Sequence, residues 1–311
     1  MVVSSKIKIG TRASKLAVCQ AMEVKNAILS QHCLYSPEQI EIIKITTSGD
    51  KLLDQKISAI GNKGLFTKEI EEALLNNTID IAVHSMKDLP AVLPEGLAIK
   101  AVLQRADARD AFISKKYNTL LDLPLGSTVA TSSIRRKAML LNYRKDLNII
   151  DIRGNIITRL EKLNILDIDA IILATAGLQR LKKISDITEI IPTDIMLPAV
   201  GQGALGIECR IDNHDVIKIL NNINHGNTEL CVNAERSYML SIGGDCNTPI
   251  GCYAYINNCD INIKAQLLHP LGKQDFAIER SGKATEIGNI IKEMSQITKN
   301  KAGDIINFIK C

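Results

Sequence analysis

Over its first two-thirds the chain repeats one pattern: a short apolar run, a junction of small polar residues with an arginine, then a stretch whose apolar positions have helical spacing. Alternation of this kind is satisfied by α/β layers with a mostly parallel, doubly wound sheet. Strands are predicted over 6–10, 40–46 and 79–83, with helices over 13–29 and 67–76. A second series follows, with strands over 128–131, 147–152 and 170–174, helices over 133–143 and 155–166, and a short helix reaching residue 181. Residues 97–103 read as a strand leading out of the first series, and 205–210 as a strand returning after a Pro- and Gly-punctuated stretch, 191–203. The second series thus reads as an insertion linked by two crossovers, the hinge arrangement of bilobal ligand-binding proteins. Beyond residue 221 the pattern changes to a helix over 228–241, strand-like runs over 252–256, 261–268 and 276–281, and terminal helices, which is a small α+β region. The expected domains are 1–103 with 199–222, an inserted 104–198, and 223–311.

With 311 residues, 46% hydrophobic and 23% charged, the chain can bury sizeable cores. Its 38 basic and 34 acidic side chains leave a net charge of only +4, and six Tyr, four Phe and no Trp offer few stacking platforms. A dedicated nucleic-acid binder is therefore not expected. Arginine is unevenly placed: of twelve, nine lie between residues 105 and 210. Its planar fork grips carboxylates and phosphates in bidentate fashion, which points to an anionic small molecule. Lys6 and Lys8 stand where a signal peptide needs an apolar stretch, and no apolar run has the length of a membrane span, so a cytosolic location is expected. Eight cysteines form no C-x-x-C pair and five histidines form no metal motif, so no metal site is expected and any special cysteine acts alone. The absence of heptads makes a monomer the expected state.

Three strand-to-helix junctions share a design: Gly10-Thr11-Arg12-Ala13-Ser14, Thr131-Ser132-Ser133-Ile134-Arg135-Arg136, and Arg153-Gly154-Asn155 with Arg159 one turn on. Each sets capping residues and an arginine where free N–H groups and the helix dipole favour an anion. Ordinary capping with surface arginines is the plainer reading of any one of them. Gly201-Gln202-Gly203-Ala204-Leu205-Gly206 matches G-x-G-x-x-G, but a strand pattern follows it where a nucleotide site needs a helix. Gly61-Asn62-Lys63-Gly64 lacks the ending of a P-loop and reads as a loop presenting Lys63. The apolar strand before His84-Ser85-Met86-Lys87-Asp88 runs into four polar or ionisable positions around Met86, and Asp88 could handle a proton or stabilise a cation. In Gly243-Gly244-Asp245-Cys246 a loop exposes one thiol, whereas Cys19, Cys209 and Cys231 lie in helix or strand patterns and read as buried.

Taken in order along the chain, these motifs, with Gly64-Leu65-Phe66-Thr67-Lys68-Glu69, Leu197-Pro198-Ala199-Val200-Gly201-Gln202-Gly203 and Pro249-Ile250-Gly251, resemble the porphobilinogen deaminase (hydroxymethylbilane synthase) family over nearly the whole length. The resemblance implies two periplasmic-binding-protein-like doubly wound α/β domains and a small α+β third domain. It also implies a dipyrromethane cofactor held by a thioether to Cys246, with Lys87, Ser132, Ser133, Arg135 and Arg136 around it. Four porphobilinogen molecules would be joined head to tail on that primer, each losing ammonia, and released as hydroxymethylbilane. By the same resemblance Asp88 is the catalytic carboxylate, and Arg12, Ser14, Lys63, Phe66, Arg153, Arg159 and Gln202 meet substrate. Family loops usually carry two residues, often both glycine, directly before the cysteine, whereas Asp245 intervenes here.

The chemistry fits the composition. Each pyrrole unit added brings two carboxylates, so one cleft needs several cationic anchors. Loss of ammonia leaves an electrophilic cation that a fixed carboxylate stabilises. The rival reading is a bilobal anion-binding or sensor protein that uses the same arginines without catalysis and has no need of Cys246. A cysteine-nucleophile hydrolase is a third.

Overall fold

In the computed structural model, residues 6–31, 35–51, 66–90, 92–245 and 248–310 are described. The chain runs β1 (Ile7–Arg12), α1 (Lys15–Gln31), β2 (Ile40–Ile45), α2 (Ser48–Lys51), α3 (Lys68–Leu75), β3 (Ile81–Ser85) and β4 (Leu97–Val102). Next come β5 (Asp110–Ile113), β6 (Thr128–Ala130), α4 (Ile134–Tyr143), β7 (Asn148–Ile150), α5 (Ile156–Ile165), β8 (Ala170–Ala174), α6 (Thr175–Arg180) and β9 (Glu189–Ile190). The last part is β10 (Leu205–Arg210), α7 (His214–Ile223), α8 (Gly226–Ser241), β11 (Ile250–Asn257), β12 (Asp260–Leu268), β13 (Asp275–Lys283), α9 (Ile287–Lys301) and α10 (Gly303–Lys310).

Contacts divide the chain into two units, Met1–Arg105 with Ala204–Glu229, and Ala106–Gly203 with Leu230–Cys311. In the first, a five-stranded sheet has the order β2-β1-β3-β10-β4, with β1 parallel to β2 and β3, and β10 antiparallel to β3 and β4. Its central strands β3 and β10 are buried over nearly their whole length, so the sheet is covered on both faces. One face packs on α1, whose buried residues Ala17, Ala21, Val24 and Ile28 recur every three or four positions. The other face packs on Ile70 and Leu74 of α3.

The second unit has a sheet of the same design, β7-β6-β8-β5-β9, with β6 parallel to β7 and β8, and β5 antiparallel to β8 and β9. Apolar clusters cover both of its faces, one around Phe112, Met139 and Ile172 and one around Ile113, Ile171 and Leu178. The same unit holds the antiparallel meander β11-β12-β13, in which β12 alternates buried and half-buried residues. Its core forms around the buried Tyr238, whose hydroxyl shares a 2.8 Å hydrogen bond with Thr298. The two doubly wound sheets and the smaller antiparallel one agree with the fold class expected from the sequence.

The differences are local. β5, β9 and α7 were not predicted: β5 is four residues long and opens on a charge, β9 is two residues long, and α7 lies among Asn and Lys. β3 continues two residues past the expected end, because Leu205 and Gly206 pair with Ser85 and His84. Gln202 belongs to the second unit, since the chain divides at Gly203. No helix among the described residues is long and apolar enough to cross a membrane.

Candidate active site

β1 and β3 are adjacent and parallel, so their carboxyl ends open at one edge of the first sheet, the usual position of a site in such folds. A small cleft there is lined by Arg12, Ser14, Gln20, Phe66, Ser85 and Asp88, among others. Arg12 is the last residue of β1, and its guanidinium faces Asp50 through Nη2 and, at 3.4 Å, through Nε. The Phe66 ring lies 4.1 Å from its central carbon. Burial alone would raise the Asp50 carboxyl, but hydrogen bonds from Arg12 and Thr47 outweigh it and hold it below the usual carboxylate range. Arg12 is thus fixed by a carboxylate and an aromatic face, and its Nη1 has no hydrogen bond among the described residues.

Ser14 caps the start of α1, accepting from the Ala17 N–H at 3.3 Å. Gln20, buried on α1, donates through Nε2 to Ser85 Oγ at 2.9 Å, which fixes the end of β3. The chain then makes a 3-10 turn, Met86–Asp88, that leaves Lys87 half-buried and Asp88 exposed at the rim of the cleft. Arg12, Ser14, Phe66 and Asp88 are therefore brought together, and Lys87 adjoins them. Lys63 and Cys246 lie outside the described residues.

In the second unit Arg135 and Arg136 are not the surface arginines of an ordinary capped helix. Both are buried in the first turn of α4, and both pair with Asp110, the first residue of β5: Nη1 of Arg135 at 2.8 Å and Nη2 of Arg136 at 2.8 Å. Gln202 donates through Nε2 to Asp110 at 3.0 Å and to the Ala108 carbonyl at 2.6 Å. Arg135 also donates to the Leu197 carbonyl at 2.6 Å and Arg136 to that of Ile172 at 3.0 Å. Burial would raise the Asp110 carboxyl, yet the two arginine charges hold it at about 2.

Ser133 caps α4, accepting from the Arg136 N–H at 3.4 Å, and Ser132, exposed, donates to the Ile152 carbonyl. Arg159 donates to the Gly154 carbonyl at 2.8 Å, and burial, with the charge of Arg136, lowers it to about 10. Arg153 is exposed. Two guanidiniums, Arg135 and Arg136, thus share the carboxylate of Asp110, and Arg159 feels the charge of Arg136, an excess of positive charge that suits a polyanion.

Models of the porphobilinogen deaminase dipyrromethane cofactor-binding domain and of the porphobilinogen deaminase C-terminal domain match residues 7–218 and 229–296. The chain belongs to the porphobilinogen deaminase family. It is 48% identical over 276 residues to the porphobilinogen deaminase of Wolbachia sp. subsp. Drosophila simulans (strain wRi), covering 88% of this chain and 92% of that one. It is 51% identical over 250 residues to that of Chloroherpeton thalassium (strain ATCC 35110 / GB-78), covering 80% and 79%. Among solved structures it is similar to the methionine-binding protein MetQ, at 16% identity and a TM-score of 0.43 over 70% of this chain and 89% of that one.

The dipyrromethane of the porphobilinogen deaminase family carries carboxylates, and the surplus of guanidiniums in the second unit, with Nε of Arg135 a buried donor that has no partner among the described residues, fits it. The segment that precedes Cys246 explains the displaced glycines. Gly243 has φ of +75° and its N–H reaches the Leu240 carbonyl at 2.9 Å, while Gly244 reaches that of Met239 at 3.0 Å. The pair therefore ends α8. Asp245 is tied to Thr248, its N–H donating to Thr248 Oγ1 at 2.9 Å and its carbonyl accepting from the Thr248 N–H at 3.1 Å. Of the other cysteines, Cys209 and Cys231 are buried as expected and Cys19 is only half-buried. Gly201 and Gly203, with φ of +70° and +89°, form a turn that leads into β10 without a helix, consistent with the rejection of a nucleotide loop.

Sequence reasoning missed Asp110, Asp50 and Glu208. For Asp110 and Glu208, in or beside apolar strands, the usable signal was an ionisable residue inside a run that should bury both faces, whereas Asp50 lies in the polar stretch 46–51 and carries no such signal.

Proposed function

We propose that this chain joins four porphobilinogen molecules head to tail, releasing ammonia at each step, and that water then cleaves the finished tetrapyrrole from its primer, supplying the hydroxyl of hydroxymethylbilane. The observation that carries the reading is the pairing of one exposed carboxylate, Asp88, with a pre-oriented arginine, Arg12, at the same sheet edge, in a chain that belongs to the porphobilinogen deaminase family. Cys246 would hold the dipyrromethane, which when bound would supply the primer on which the units are joined. Arg135 and Arg136, with Lys87, Ser132 and Ser133, would hold its carboxylates.

Arg12 takes a carboxylate of the incoming substrate through its open Nη1 edge, while Asp50 and Phe66 prevent the guanidinium from swinging away. Ser14, Lys63, Phe66, Arg153, Arg159 and Gln202 complete the substrate contacts, Gln202 acting through Asp110. As the carbon–nitrogen bond of the aminomethyl group breaks, ammonia leaves and positive charge spreads onto the ring nitrogen. The Asp88 carboxylate stabilises that charge. When the new carbon–carbon bond has formed, the proton lost from the ring carbon passes to an Asp88 oxygen and then to solvent or ammonia.

Intact mass of the purified protein tests this. The wild-type chain is expected to exceed its sequence mass by one dipyrromethane, and Cys246→Ala to lose that increment. Asp88→Ala is expected to keep the increment but lose turnover by about a hundredfold or more. An unmodified wild-type protein with full activity, or near-normal turnover of Asp88→Ala, overturns the reading.

A further inference from the structure

Residues 197–202, an irregular segment of the second unit, are bonded to two sets of partners. The first set is the arginine pair. The Leu197 carbonyl accepts from Arg135 Nη1 at 2.6 Å, and Gln202 donates to Asp110, which carries both Arg135 and Arg136. The second set belongs to the C-terminal α+β part and holds the segment near both of its ends. β11 is the edge of its sheet, so the N–H groups along its outer side are open to other partners. That of Cys252 donates to the Pro198 carbonyl at 3.0 Å. Gly251 allows the close approach: a Cβ there would lie 2.6 Å from Leu197 Cβ, 2.9 Å from the Leu197 carbonyl oxygen and 2.5 Å from Met139 Cε. Arg135 Nη1 touches that same carbonyl and, at 3.8 Å, the sulfur of that same methionine.

At the Gly201 end the hold is a carboxylate. Glu235 on α8 is fully buried. Its Oε2 accepts from the Gly201 N–H at 2.7 Å and its Oε1 from the Ala254 N–H of β11 at 2.8 Å. A carboxylate in the interior is costly unless its oxygens are hydrogen-bonded, and one that accepts from two backbones fixes each against the other more firmly than a neutral acceptor does. A glutamine would accept from one N–H and turn its own NH2 towards the other. Glu235 thus ties α8, β11 and the turn in which the Gln202 N–H reaches the Ala199 carbonyl at 2.9 Å. α8 ends at Ser241 and β11 begins at Ile250, so the two elements joined by Glu235 are those on either side of Cys246 in the chain.

We propose that residues 197–202 are a strap through which the C-terminal part sets the place of Arg135 and Arg136, with Glu235 and Gly251 as its positioning residues. The two guanidiniums have to meet the carboxylates of a ligand whose other end is tied at Cys246, so the anchors and the elements that flank the thiol need a fixed relation. The strap supplies it, because one set of its bonds goes to α8 and β11 and the other to Arg135 and Asp110. Glu235 and Gly251 act through the strap and not on the ligand. The consequence for dipyrromethane rests on the reading of Cys246, Arg135 and Arg136 given above, whereas the hold of the strap on Arg135 does not.

Nitrogen NMR of the holoenzyme with isotope-labelled arginine, the Arg135 Nε–H signal assigned by its loss in Arg135→Lys, reads the strap directly. We expect that signal to move in Glu235→Gln and in Gly251→Ala. It is expected to keep its place in Tyr238→Phe, which removes a buried hydroxyl bonded to Thr298 in the core of the C-terminal part. Intact mass of the same proteins gives the fraction of chains that carry dipyrromethane, expected to be about threefold lower in Glu235→Gln and Gly251→Ala and unchanged in Tyr238→Phe. Glu235→Gln keeps the shape of the side chain and carries the test alone if Gly251→Ala does not fold. An unmoved Arg135 signal in Glu235→Gln, or wild-type dipyrromethane loading of that variant, overturns the proposal. A merely structural role would make Tyr238→Phe change both readouts as much as Glu235→Gln does at an equal loss of thermal midpoint, and that result overturns it too. If the wild type carries no dipyrromethane while the Arg135 signal moves as stated, the reading of Cys246 falls and the strap stands.

Discussion

Asp110 is fully buried and carries two arginines and a glutamine on its two oxygens. Taken alone, a carboxylate in such a place is strongly disfavoured; paired, it holds the first turn of α4 and the Gln202 turn to the start of β5. Removing only the charge leaves two buried guanidiniums without a counter-ion, so Asp110→Asn is expected to cost ~3–5 kcal/mol of unfolding free energy, measured by denaturant titration at neutral pH. The wild-type contribution has a defined pH window. Because the folded carboxyl lies at about 2, below its ordinary 3.8, the stabilisation is present above the ordinary value and is lost as pH falls towards 2. Asp110→Asn should therefore show a shallower acid-side loss of stability than the wild type. An unchanged acid limb would show that Asp110 is not held by these charges.

At the scale of elements, the junctions of strands and helices carry both the fold and the site. The turn through Gly201 and Gly203 is a case where one backbone position decides a side chain's placement. Gly203 has φ of +89°, and a Cβ there would lie 2.6 Å from the Ala106 carbonyl oxygen. Neither the conformation nor the space admits a side chain, so Gly203→Ala is expected to destabilise by about 2 kcal/mol or more. It should also shift Gln202 off Asp110, so that bound dipyrromethane is depleted along with the thermal midpoint. A soluble Gly203→Ala protein with wild-type stability would contradict this.

The same elements mark what the sequence disclosed. Parallel strands and their helices were legible because β1 alternates, and the starts of β3 and β8 are unbroken apolar runs, beside helices of clear period. Arg12 and Asp88 were legible because they stand at strand ends. β5 was not, because four residues opening on an aspartate carry too little pattern, and its carboxylate is understood only when the two arginines from α4 arrive beside it. Glu71 and Glu208 were hidden in the same way: one sits in an ordinary-looking helix and the other inside a strand, and only the pairing of β3 with β10 brings Glu208 to His84.

For the whole molecule, the net charge of +4 says less than where the shifted acids lie. Asp50 in the first unit and Asp107 and Asp110 in the second are all lowered, so both units lose stability on the acid side. Glu71 runs the other way. Its carboxyl is raised by burial first, and then by Glu208, so the folded state holds its proton more tightly than the unfolded chain does. The stability associated with that proton is fully present below the ordinary value of 4.5 and is lost as pH rises through the raised one. The fall therefore belongs to the first unit and lies on the opposite side of the pH range from that of Asp110. Because this added fall belongs to the first unit alone, the two need not unfold as one, and the observable is the separation of two transitions rather than a single midpoint. Glu71→Gln, which cannot ionise, is expected to flatten the decline of the first unit's transition above pH 4.5 and to leave the acid limb of the second unit unchanged. Thermal unfolding followed by calorimetry across weakly acid to weakly alkaline pH measures this, and a decline of the same slope in wild type and Glu71→Gln would place the responsible proton elsewhere.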